Sequence, residues 1–80
     1  MTARTAFALG QARHHLGHTD QARALYDEAL IGAGKRNAEQ DQAAIHDRLG
    51  TLARETGDEP QAARHREAAA TIRRRNGALS

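Results

Sequence analysis

Eighty residues at 8.7 kDa with no cysteine make one small domain at most, without a disulfide staple or a thiolate metal site. An enzyme with separate cofactor and substrate lobes is excluded. Eighteen alanines stand against 11 residues of Leu, Ile, Val and Phe, with no valine and two aromatics, so the chain is a helix former with a thin core and lacks the residues of a β-sandwich or barrel. Net charge is +2, and arginines alternate with carboxylates except at Arg73, Arg74 and Arg75, the one true basic run.

In chain order, the pattern predicts four helices at 3–16, 20–32, 38–55 and 60–75. The Met1 to Arg4 stretch leads into no apolar run of signal-peptide length, and no run reaches the roughly 18 apolar residues of a membrane span. A cytoplasmic chain is expected. Gly17 is expected to end the first helix in the left-handed conformation, with Thr19 capping the second. The second helix carries the cleanest stripe: Ala22, Leu25, Tyr26, Ala29 and Ala33. Gly34 is expected to close it, and Asn37 with Gln40 three residues on comes close to a capping box for the third. That helix presents Ile45, Leu49, Leu52 and Thr56. Gly57 then ends it, and Asp58 caps a fourth helix whose first turn holds Glu59 and Pro60. The fourth seam is poor: Ala62, His65, Ala69 and Ile72, flanked by Arg64 and Arg66.

A shift of 40 residues superimposes Leu9-Gly10 on Leu49-Gly50, Gly17 on Gly57, Gln21-Ala22 on Gln61-Ala62 and Ala29 on Ala69. The chain is therefore read as one domain over 1–80 made of two repeats, 3–36 and 37–76. Glycine inside a helix costs about 1 kcal/mol against alanine unless close approach repays it. Gly10 and Gly50 should therefore mark where paired helices touch. The expected fold is all-α, in antiparallel helix-turn-helix pairs.

These residues resemble the tetratricopeptide repeat family, whose unit carries Leu-Gly in its first helix, Gly at the turn, and Ala, aromatic, Ala down its second. Ala6-Phe7-Ala8-Leu9-Gly10 through Gly17, Ala22, Tyr26 and Ala29 carries the likeness, and Leu49-Gly50, Gly57-Asp58, Ala62 and Ala69 carry it again. The period is similar to the variant in kinesin light chain and in bacterial regulatory ATPases and transcriptional activators. Departures are Ala6 and His46 for the early aromatic, Arg13 and Ala53 for the later tyrosine, Arg66 for the second aromatic, and no closing proline. The resemblance implies a right-handed superhelical fragment of four helices and a non-catalytic scaffold that binds protein or peptide. It also implies a groove lined by Arg4, Phe7, Gln11 and His14 from the first helix, and Ala44, Asp47, Arg48, Thr51 and Arg54 from the third. The lysine and asparagine pattern that clamps a terminal carboxylate in chaperone-binding members is absent, so that activity is not carried over.

Other chemistries find less support. His14, His15 and His18 suggest a metal site by their spacing, but a helix ending at Gly17 turns His18 away. There is no Cys, the only Ser is Ser80, and Asp27-Glu28 read as surface salt-bridge partners. No catalytic residue, cofactor or metal is assigned. A second reading makes 60–75 the recognition helix of a DNA-binding helix-turn-helix using Arg64, His65 and Arg66, although Asp58 after the turn glycine and the unexplained first half weigh against it. Nucleic acid and membrane are therefore not expected as partners. Two repeats with little core also predict a homodimer, by end-to-end stacking or by exchange through the Ala33 to Arg36 linker, unless Arg64, Arg66 and Glu67 act as a polar cap.

Overall fold

Three turns of one construction divide the chain. In the computed structural model, which describes residues 1–78, they separate α1 (Ala3–His15), α2 (Thr19–Lys35), α3 (Glu39–Glu55) and α4 (Glu59–Ala78). Leu79 and Ser80, and with them the chain's one serine, lie outside the described residues. Gly17, Asn37 and Gly57 take positive φ of 81°, 52° and 83°. The amide after each closes the turn: His18 N–H donates to the Arg13 carbonyl at 2.9 Å, Ala38 to Ala33 at 2.9 Å, and Asp58 to Ala53 at 2.8 Å. The 40-residue repeat is thus two helix-plus-turn units of equal length. All described secondary structure is helical, and no strand occurs among the described residues.

The helix ends differ from expectation for identifiable reasons. Gly34 does not close α2, which runs on to Lys35. Asn37 takes the left-handed position instead, because its short amide tolerates that conformation nearly as well as glycine does. Thr19 is the first helical residue and not the cap, since His18 holds the cap position without a side-chain bond. Ala38 likewise caps α3, so the Asn37 and Gln40 box does not form. Asp58 does cap α4, accepting from the Gln61 N–H at 3.3 Å. Thr2 caps α1 by accepting from the Thr5 N–H at 3.1 Å. The fourth helix extends past 75, with Arg75 reaching Glu39 on α3.

Packing follows the apolar spacing. α1 lies antiparallel on α2, with Gly10 against Leu25 and Tyr26 and Ala3 against Gly32. α3 packs on α2 and touches α1, whereas α4 packs on α3 alone. The main core joins Ala6, Ala22, Tyr26, Ala29, Ala33, Ile45, Leu49 and Leu52, with Phe7 and Leu30 half-buried at its edge. Leu25 is only half-buried and Thr56 is exposed, its hydroxyl donating to the Leu52 and Ala53 carbonyls. A smaller cluster of Ala43, Ala69 and Ile72 lies between α3 and α4. Tyr26 and Leu52 are the largest fully buried side chains, so the core is as thin as the composition implies.

The two helix-contact glycines are not equivalent. A Cβ at Gly10 would stand 2.7 Å from the Tyr26 ring, whereas one at Gly50 would meet the Ala62 carbonyl at 3.4 Å and His65 Cβ at 3.5 Å. The first contact is a clash and the second is near ordinary van der Waals separation. Gly10→Ala should therefore destabilise the fold by about 1 to 3 kcal/mol through overpacking. Gly50→Ala should be neutral or stabilising by up to about 1 kcal/mol from helix propensity. Urea unfolding of the two variants checks this, and equal losses would contradict the assigned contacts.

Candidate functional site

The residues expected to line a groove do not all share one surface. Phe7 sits at the core edge, its ring 5.8 Å from that of Tyr26. Arg4 and Phe7 share a narrow crevice of about 40 Å³ with Ala3, Ala33, Asp41 and Ile45. Gln11 is half-buried on the same side of α1, and Arg4 is exposed beside it.

His14 ties three helices together. Its Nδ1 is 3.2 Å from the Tyr26 hydroxyl on α2, and its Nε2 is 2.5 Å from Glu55 Oε1 on α3. A carboxylate only accepts, so Nε2 carries the proton toward Glu55, and in the neutral ring Nδ1 accepts from the Tyr26 O–H. Burial pushes the Tyr26 phenol above its usual range; the nearby Arg48 guanidinium opposes that shift and the Glu55 carboxylate adds to it. With its ring at 0% exposure, Tyr26 offers no atom to a substrate. The series Tyr26, His14, Glu55 orders the groove floor.

On α3, the predicted residues divide. Arg48 lies near Tyr26, on the side facing α1. Asp47 instead faces α4, where Arg73 donates to both of its oxygens at 3.2 and 2.5 Å. That hydrogen-bonded partner raises the Arg73 pKa. The Thr51 hydroxyl donates back to the Asp47 carbonyl at 3.1 Å, and Ala44 is half-buried. Arg54 is exposed and makes no ion pair among the described residues. Glu55, one residue on, was not anticipated. Its signal would have been the face shared with Arg48 and Leu52, at helical spacing.

Elsewhere the polar residues are engaged in ways that bear on function. Arg73, Arg74 and Arg75 pair with Asp47, Glu67 and Glu39. Asp27 and Glu28, expected in surface salt bridges, make none among the described residues. His15 and His18 are exposed, and no group of three or more His, Asp or Glu that could hold a metal occurs among the described residues. No described helix is long and apolar enough to cross a membrane. Comparison with protein-family models, with curated proteins and with solved structures finds no match.

The α3–α4 seam holds a histidine pair, with His46 Nδ1 3.0 Å from His65 Nδ1. One ring must donate and the other accept, so the bond needs at least one neutral imidazole. Burial lowers the pKa of both below the usual 6.5. For His46 the neighbouring His65 adds to that effect and Asp47 opposes it, while Asp27 opposes it for His65. Because the folded values lie below the unfolded one, the unfolded chain takes up more protons as pH falls through about 6.5. The contribution of the pair is therefore whole above that value and lost toward the folded pKa values. The urea midpoint should drop between pH 7.5 and 5.5, and the His46→Ala, His65→Ala double variant should flatten that dependence. A pH slope unchanged in the double variant would contradict it.

Proposed function

We propose that this chain is a non-catalytic binding module of two tetratricopeptide-like repeats, cytoplasmic, that holds an extended or helical segment of another protein along α1 and α3. The observation that carries the reading is the distribution of charge on that surface. Its carboxylates are occupied, Asp41 by Arg36 and Glu55 by His14, and Asp47 is drawn away toward Arg73 on α4. Arg4, Arg48 and Arg54 have no ion pair among the described residues, and Arg48 is near enough to Tyr26 to act on its phenol electrostatically. A backbone fixed from beneath by Tyr26 and His14 thus presents uncompensated cations around the half-buried Phe7 and Gln11. The complementary ligand is a segment with carboxylates and one or two aliphatic anchors. Preorganisation supplies the mechanism, because the module loses little entropy when the segment docks.

On α4, His65 is turned into the seam with His46, which counts against the DNA reading, whereas the Arg64 and Arg66 that it also invokes are exposed and make no ion pair among the described residues.

Selection of displayed random peptides on the immobilised full chain tests the proposal. Enriched peptides should be acidic, and Arg54→Glu and Arg4→Glu should each weaken them at least about tenfold, with Arg23→Glu, in the cleft that α2 shares with Ala53, Gln61 and His65, leaving binding unchanged. Phe7→Ala should weaken binding too, but it also removes a ring packed on Tyr26, so the arginine variants are decisive. Equal effects from all three arginine reversals would place the interface elsewhere. Submicromolar duplex DNA binding in 0.15 M salt, lost in an Arg64→Ala, Arg66→Ala variant, would favour the nucleic-acid reading instead.

A further inference from the structure

The first hairpin has an apolar outer face that none of the described residues covers. Every exposed large hydrophobic among the described residues precedes α3: Met1, Leu9 at 37%, Leu16 at 64% and Ile31 at 62% exposure. Their helical phase puts three of them on one side. Phe7 and His14 on α1 face α3, through the core edge and through Glu55. Leu9 and Leu16 each follow such a residue by two positions, which is about 200° round a helix and so the opposite face. On α2, Tyr26 packs with the α3 residues of the core, and the Ala33 carbonyl accepts from Gln42 of α3. Ala24 and Ile31 each precede one of these by two positions, again the opposite face. Two stripes, each with a two-turn spacing, therefore run side by side on the hairpin surface turned away from α3.

The internal repeat says what such a face is for. Forty residues on, Leu9 corresponds to Leu49, which is 3% exposed because α2 covers it. On α1 no described helix supplies that cover.

Charge decides the occupant. On α1 the same phase sets Arg13 beside Leu9 and Leu16, and the helix carries no carboxylate over its whole length. The outward side of α2 carries Asp20 and Glu28 along with Lys35. One face of the hairpin thus sets a helix with a cation and no acid beside a largely acidic one, each with an apolar stripe. A two-fold axis parallel to the helices sets the basic helix of one copy over the acidic helix of the next and repeats the contact, the isologous arrangement that closes on itself. The perpendicular axis would lay α1 on α1 and oppose like charges.

We infer that this face is the interface of a homodimer, a four-helix arrangement in which α1 of each copy packs on α2 of the other through Leu9, Leu16, Ala24 and Ile31. It lies opposite the proposed peptide groove and does not depend on that reading.

Light scattering of the full chain over a hundredfold concentration range tests it. The mass should rise from 8.7 kDa toward twice that value. Leu16→Glu and Ile31→Glu should each raise the dissociation constant at least about tenfold while leaving circular dichroism unchanged, since both side chains are exposed in the single copy. Arg13→Glu and Asp20→Arg should each weaken the dimer, and the two together should restore it. A constant mass of 8.7 kDa would overturn the proposal, as would a dimer indifferent to Leu16→Glu and Ile31→Glu. Strengthening by Arg13→Glu alone would show α1 on α1, and loss through Arg66→Glu with the hairpin variants intact would show end-to-end stacking. Either outcome refutes the interface proposed. Peptide capture by the monomeric variants should persist, which separates this interface from the groove.

Discussion

The fold rests on the burial of one ring. Tyr26 is the sole large aromatic with no exposed surface, and it is reached because Gly10 on α1 offers no side chain to hold the helices apart. Around that ring gather Phe7 from α1 and Ile45, Leu49 and Leu52 from α3, so a single residue of α2 joins the first three helices. Its hydroxyl cannot be left dry without cost. His14 satisfies it and passes the contact on to Glu55, which fixes the register of α1 against α3. The surface where α1 meets α3 is held from beneath in this way.

The second half of the chain repeats the geometry without the ring. Arg66 stands where the repeat would place a second Tyr26, and Gly50 faces a carbonyl and two side chains at comfortable distances. What holds α4 is a shallow seam of Ala43, Ala62, Ala69 and Ile72, a hydrogen bond between His46 and His65, and ion pairs from Arg73 and Arg75. Exposed ion pairs contribute roughly 0 to 1 kcal/mol each, far less than a buried aromatic. The chain is consequently polarised. Leu9 and Leu16 are exposed on its first helix, whereas the exposed outer side of its last carries Arg64 and Arg66.

How much of this the sequence disclosed depended on whether a signal was local. Gly17 and Gly57 were readable because glycine is the usual left-handed residue, and the small-residue stripe of α2 because its spacing is helical. Asn37 was hidden, since asparagine occupies many conformations and Gly34, three residues earlier, drew the boundary to itself. Glu55 was hidden for another reason: its partner is 41 residues away and charges alternate so regularly along α3 that none stands out. His65 was readable as a seam residue, yet its pairing with His46 required the register of two helices. The exposure of Leu9 and Leu16 could not be read from spacing alone, because it depends on which helices pack on α1.

Such a polarised chain should not unfold as one unit near its C-terminal edge. The most direct measurement of that claim is native-state hydrogen exchange resolved by helix. Amides of α2 and the α2-facing side of α3 should exchange only through global unfolding, and those of α4 should open together at a lower free energy while α1 to α3 remain protected. Equal protection in α4 and α2, with one common dependence on denaturant, would contradict the account by showing that the seam without the ring is as strong as the one with it.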